Sequence, residues 1–238
     1  MSLASVFVMP LRWERKPGIH PWPDVVGGLL RLAVAASLLL ASAGHAWESQ
    51  KLLAAAQKMG PATALQTQAL IQEIAEAANH DELARLKAIN HFFNRRIDYR
   101  EDIEVWGQVD YWASPLETLN KGRGDCEDYA IGKYFSLIAA GVSAAKMRLV
   151  YVRAEMGRRI VAHMVLAYYA EPAAEPLILD NLNIEIRPAS LRPDLAPVFS
   201  FNAEGLWQGV GRSSAGDPVA RLSRWRDVLA KARAEGWW

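Results

Sequence analysis

The chain has 238 residues, 51% of them hydrophobic and 22% charged, with a formal net charge of +1. That balance suits one globular domain with at most a small appended segment, and a charge so close to zero gives no reason to expect nucleic acid as a partner. No internal repeat and no low-complexity block interrupts it, which excludes solenoids and long disordered tails.

Residues 1–46 differ from the rest. Arg12, Arg15, Lys16 and Arg31 accompany the apolar run "LAVAASLLLASAGHA", which ends in small residues as a secretory signal peptide does. Cleavage after Ala43 or Ala46 satisfies the small-residue rule; the alternative is an uncleaved anchor over residues 25–47, since about 20 apolar residues cross a bilayer. Either way the domain, residues 47–238, is expected outside the cytoplasm. It carries 23 basic and 24 acidic side chains, a net charge of −1, and one cysteine. A single cysteine forms no internal disulfide, so Cys126 is either an inert buried residue or a thiol kept for its reactivity.

Residues 47–78, rich in Ala, Gln and Leu, read as two short helices broken at Gly60 and Pro61. From Leu83 the apolar residues Leu86, Ile89, Phe93 and Ile97 recur at steps of three and four, which predicts an amphipathic helix. The aromatic, acidic and aperiodic segment "DYREDIEVWGQVDYWASPLETL" (98–119) is expected to be a long loop, packed on its own tryptophans and ending in a helical turn. A helix with clear signals follows: Gly122 and Gly124 lead in, Asp125 can cap, and Gly141 closes it. Cys126, Ala130, Tyr134 and Leu137 then share one face. Three runs of strand character come next, "MRLVYVRA", "RRIVAHMVLAYYA" and "PLILDNLNIEI", separated by Gly157 and by "EPAAEP". Residues 192–207 read as irregular, and a last helix is expected from an Asp217 cap and Pro218 through Val219, Leu222, Trp225 and Leu229. Helices first and an antiparallel sheet after them make an α+β fold.

Cys126 opens its helix, where unpaired N–H groups and the positive end of the macrodipole favour a thiolate. A nucleophile there needs a base and a group that orients the base. Of five histidines, His20 and His45 lie in the leader. His80, in the polar "ANHDE", suits a cap or a solvated position, and His91 suits a helix surface. His163 interrupts the apolar strand "IVAHMVLAYY", where a buried imidazole must find a partner. The following strand offers Asp180 in "LILDN". Cys126, His163 and Asp180 therefore form a candidate triad carried on a helix start and two successive strands. Trp106 and Trp112, upstream, are candidates for a second oxyanion donor, with core packing as the alternative role.

This arrangement resembles the papain-like and transglutaminase-like core, in which a helix bearing the cysteine packs on an antiparallel sheet bearing His and Asp. More narrowly, "DYWASPLETLNKGRGDCEDYAIGKYFSL", "VAHMVL" and "LILDN" resemble the bacterial transglutaminase-like cysteine peptidases of the LapG type, over residues 83–207. The string "GDCEDYA" with a lysine three residues on is the most specific part of the match. The resemblance implies a periplasmic, calcium-dependent endopeptidase. Its implied substrate is a large repeat adhesin, cut in the N-terminal region near a di-alanine, which frees the cell from a biofilm. The implied inhibitory partner is an inner-membrane cyclic-di-GMP receptor that sequesters the enzyme. Carried onto this chain, the resemblance implies Cys126 as nucleophile, His163 as general base and acid, Asp180 as orienting carboxylate, and Asp125, Glu127 and Asp128 as calcium-binding acids.

The acids also have a reading without metal: Asp125 and Asp128 stand three apart, as in a capping box, and all three complement a helix dipole. Two other functions use the same residues. A transglutaminase would pass the acyl group to an amine instead of water, and a non-catalytic binding module would keep Cys126 for structure and use the tryptophan-rich loop to hold a partner.

Overall fold

The protein is described here by a computed structural model covering residues 47–211 and 214–237. The expectations for the leader, residues 1–46, fall outside the described residues. Among those residues no helix is long and apolar enough to cross a membrane.

Helix α1 (Ser49–Met59) ends at Gly60, whose φ of 130° suits only glycine, and α2 (Pro61–Ala77) starts with proline in its first turn. The second of these is longer than expected, at 17 residues. Helix α3 (Glu82–Arg96) is capped by Asp81, which accepts a hydrogen bond from the Ala84 N–H at 2.8 Å. His80 is exposed and leaves that cap to its neighbour, and His91 is exposed as well. The face read from the periodicity is the buried one, with Leu86, Ile89 and Phe93 fully covered.

Residues 98–124 are more ordered than a loop. They form β1 (Asp98–Tyr99), α4 (Asp102–Val105), α5 (Pro115–Lys121) and β2 (Arg123–Gly124), with β1 and β2 paired in parallel. A capping box between Ser114 and Glu117 starts α5. Trp106 packs on Tyr111 with ring centroids 4.5 Å apart, and Trp112 stacks on Phe201 at 5.6 Å. Lys231, from the last helix, pins this segment by donating to the Trp112 carbonyl at 2.8 Å and to Glu117 at 2.6 Å.

Helix α6 (Cys126–Ala139) is buried continuously from Asp128 to Leu137. Its Gly132 lets the Phe93 ring of α3 approach to where any Cβ would stand, so the cysteine helix sits close against α3. After α6 come β3 (Met147–Met156), β4 (Arg159–Tyr168), β5 (Leu177–Leu179), β6 (Arg187–Pro188), β7 (Leu195–Phe201), β8 (Leu206–Gln208) and β9 (Ser214–Gly216). They make one antiparallel sheet in the order β6-β5-β4-β3-β7-β8-β9. The main core lies between one face of that sheet and the helices; a smaller cluster around Val150, Val165 and Ile178 lies on the other face.

Three expectations are corrected. The stretch 192–207 contains β7 and β8 rather than irregular chain. Pro197 hid the strand, and it is tolerated because β8 pairs only with Phe199–Phe201, leaving the proline beyond the end of that ladder. The run 176–186 gives a strand of only three residues, since the chain turns out at Asp180. The last helix is two: α7 (Pro218–Arg221), capped by Asp217, and α8 (Ser223–Glu235), with Leu222 between them.

Candidate active site

Cys126 is the first residue of α6, and Asp125 stands at the N-cap position. The Asp125 side chain makes no capping hydrogen bond, so the reciprocal capping box is not formed. The sulfur is met by the backbone N–H of Met164, one residue past His163 on β4. Glu127 Oε2 lies 2.7 Å from it. Burial first, and then the charge and hydrogen bond of Glu127 with the charge of Asp125, push the thiol well above its ordinary range; the Met164 N–H pulls the other way. Left to these groups alone, the thiol stays protonated.

His163 and Asp180 are both buried, and Nε2 of the imidazole lies 2.8 Å from Asp180 Oδ1. That contact leaves Nδ1 as the ring nitrogen available for proton exchange with the thiol. Asp180 is saturated with partners. Its Oδ1 accepts the N–H groups of Asn181 and Leu182 at 2.7 and 3.0 Å, and its Oδ2 accepts Arg192 Nη2 at 2.7 Å. Burial alone would raise this carboxyl, but the His163 contact, the Leu182 N–H and the Arg192 guanidinium together hold it well below the carboxylate range. Its main-chain carbonyl is held too, by Lys133 Nζ at 3.0 Å and Asn94 Nδ2 at 2.8 Å. Lys133 is buried in α6, so the cysteine helix and the aspartate turn are tied together directly.

On the other side of Cys126 three carboxylates converge. Asp102, Asp125 and Asp128 are buried and present oxygens within 4.8 Å of one another. Asp128 Oδ1 accepts the Ala113 N–H at 2.9 Å, and one oxygen of Asp102 accepts the Tyr111 N–H. The remaining oxygens, Asp102 Oδ1 and Asp128 Oδ2, together with Asp125 Oδ1, have no hydrogen-bond partner among the described residues. Burial, then the neighbouring acids, raise Asp125 and Asp128 far above the carboxylate range, and burial raises Asp102 to about 6. Gly124 leaves the space that Asp128 Oδ2 occupies, where a Cβ would collide with it. Three buried acceptor oxygens facing one point, with no donor among them, fit a hard cation bound through oxygen.

The sequence profile of the bacterial transglutaminase-like cysteine proteinases matches residues 64–193. The chain belongs to that family. Solved structures of Legionella pneumophila LapG share its fold. The EGTA-treated form is 40% identical, with a TM-score of 0.69 over 77% of this chain and 97% of that one. The calcium-bound form is 38% identical, with a TM-score of 0.67 over 77% and 98%. Curated proteins give no match. The chain is thus a cysteine peptidase with the transglutaminase-like fold.

Within this proteinase the sequence-predicted acids divide. Asp125 belongs to two groups of close-set ligand atoms: with Asp128 it joins the convergent cluster, and with Glu127, whose Oε2 lies 2.7 Å from the Cys126 sulfur, it forms a second group beside the thiol. The third member of the cluster, Asp102, went unnoticed in an acidic aromatic segment; nothing in its spacing from Cys126 marks it. Arg192 was missed too, since it lies 12 residues past Asp180 in a stretch read as irregular. Lys133 had a signal, because it closes the most specific motif, although its role under Asp180 shows only in the fold. Trp106 and Trp112 keep buried indole N–H groups without partners among the described residues, and both rings pack in aromatic contacts.

Proposed function

We propose that this cysteine peptidase is a calcium-dependent periplasmic endopeptidase. It cuts the N-terminal region of a large repeat adhesin near a di-alanine, releasing the adhesin and dispersing a biofilm, and an inner-membrane cyclic-di-GMP receptor holds it in reserve. The observation that carries the catalytic part is one buried pair, His163 on β4 and Asp180 just past the end of β5, with the Cys126 sulfur against the next backbone N–H of β4. The calcium part rests on the unpartnered oxygens of Asp102, Asp125 and Asp128 and on the solved calcium-bound relative. Adhesin, receptor and periplasm follow from the resemblance in the cysteine motif and from the apolar leader.

In the proposed reaction Cys126 Sγ attacks the scissile carbonyl carbon while His163 takes the thiol proton, and Asp180 holds the imidazolium in place. The helix-start N–H of Cys126 is placed to stabilise the oxyanion. The C–N bond then breaks, His163 returns its proton to the leaving amine, and the acyl group remains as a thioester. Water attacks the thioester and gives its proton to His163, which passes it to the departing sulfur. Asp102, Asp125 and Asp128 would hold calcium, which supplies positive charge beside the thiol and so offsets the acids that oppose a thiolate.

A quenched fluorescent peptide library with a central Ala-Ala tests the reading, with the mature domain in calcium and in EGTA. Cleavage in calcium, lost in EGTA and in Cys126→Ala, is expected. Cleavage that persists in Cys126→Ala overturns the nucleophile, cleavage that survives EGTA overturns the metal, and incorporation of an added amine without cleavage replaces hydrolysis by transfer. An N-terminal adhesin fragment cut once, and protected by the purified receptor domain, tests the biological assignment.

A further inference from the structure

The strand that carries His163 has an edge the sheet does not cover. Tyr169 donates its N–H to Lys146 across the β3–β4 ladder, and that ladder continues in unbroken register from Met147↔Tyr168 to Met156↔Arg159. In an antiparallel ladder the backbone groups of alternate residues turn to opposite sides. Odd-numbered residues of β4, His163 among them, therefore face β3, and even-numbered residues face the other way. Leu166 and Tyr168 spend those outward groups on β5, which pairs only over Leu166–Tyr168. Met164 turns its outward N–H to the Cys126 sulfur. Next along the strand come Ala162 and Ile160, and among the described residues no strand pairs with them on that side. Ala162 is exposed, and Ile160 is 66% exposed.

A row of outward N–H and C=O groups thus ends at the nucleophile. Sheets usually shield such an edge, because any extended chain can pair with it. We propose that the Ile160–Ala162 edge of β4 is the substrate-docking strand: an extended, unfolded peptide segment adds to it by main-chain hydrogen bonds, which carries its scissile carbonyl to Cys126. The inference rests on the peptidase reading above and adds the form in which substrate is recognised. Main-chain pairing at this edge asks for a segment free of secondary structure and free of proline or N-substitution at the paired positions. The small side chain of Ala162 leaves the approach to the sulfur open.

The best-cleaved Ala-Ala peptide from the library serves as the probe, remade with one backbone N-methyl group at each position in turn. Loss of kcat/KM of about tenfold or more at positions two apart, with the residue between them nearly unaffected, is the expected pattern. Amide hydrogen exchange on Cys126→Ala saturated with the same peptide gives the second readout. Ile160 and Ala162 should slow, while Val161 and His163, already bonded to β3, should not change. Ala162→Pro, which removes an outward donor and none of the donors to β3, should lower peptide cleavage about tenfold and leave alkylation of Cys126 by iodoacetamide unchanged. Cleavage with uniform N-methyl sensitivity, or without protection at Ile160 and Ala162, overturns the docking strand and leaves the peptidase reading standing. Failure to cut any library peptide overturns the peptide reading itself and the docking strand with it.

Discussion

Two groups of carboxylates flank Cys126, and they are built in opposite ways. Asp180 is a finished site: imidazole, guanidinium and two backbone N–H groups leave its carboxylate fully paired, and Lys133 and Asn94 secure its carbonyl. Asp102, Asp125 and Asp128 form an unfinished one, each with a buried oxygen that has no hydrogen-bond partner among the described residues. A paired buried carboxylate keeps its charge without help, whereas three unpaired ones either take up protons or take up a cation. The difference teaches which half of the site is fixed by folding and which half the proposed calcium would complete.

The largest expected effect is on the unfinished side. Removing calcium with EGTA should cut activity about a hundredfold or more, and 1 mM calcium should raise Tm by about 5 °C, measured by peptide cleavage and by thermal melting. The matched pair Asp128→Asn and Asp180→Asn separates the two sites by sign. In EGTA, Asp128→Asn relieves repulsion and should stabilise the fold by about 1 kcal/mol while abolishing the calcium response. Asp180→Asn takes the buried carboxylate from Arg192, leaving it only the half-exposed Asp194, and should destabilise by about 3 kcal/mol, with or without calcium. Equal shifts in the two variants would erase the distinction.

Arg192→Met is expected next in size. It removes the bond to Asp180 Oδ2 and frees Asp194, so the imidazole is less firmly oriented, and kcat should fall about tenfold with KM little changed. Arg192→Lys should recover only part of this, because one ammonium cannot span both carboxylates as the fork does. A change confined to Tm, with kcat untouched, would make Arg192 merely structural.

How far the sequence disclosed this contrast depends on which interactions are local. The cysteine at a helix start, the histidine inside an apolar strand and the aspartate at a strand end all break a local pattern, and they were legible for that reason. So was the α+β order, and so was the break at Gly60 and Pro61. Asp102 and Arg192 break no pattern where they stand; each gains its meaning from a residue far along the chain. Strand β7 was hidden by Pro197, a local signal against pairing that the short reach of β8 makes harmless. Glu127 came with Asp125 from the resemblance, and the fold keeps the two together beside the sulfur, in a group of close-set ligand atoms that overlaps the aspartate cluster only at Asp125.

The last test, the one with the least expected effect on activity, asks whether the finished site is finished for all its members. Lys133 is fully buried, and desolvation lowers it to about 7 against the weaker opposing pull of Asp180. Since its ordinary value is near 10.4, the unfolded chain binds a proton there between about pH 10 and pH 7 that the folded protein refuses. Stability from this residue is therefore present above pH 10 and declines as pH falls toward 7, by up to about 1.4 kcal/mol per pH unit. Lys133→Met should be less stable than the parent at pH 10, where the bond to the Asp180 carbonyl is lost and Asn94 alone remains on it. That deficit should shrink, or reverse, toward pH 7 in urea unfolding at fixed ionic strength. A deficit constant across that range would mean that Lys133 stays charged in the folded protein, with the Asp180 carbonyl and the face of the Tyr129 ring serving as its counter-groups.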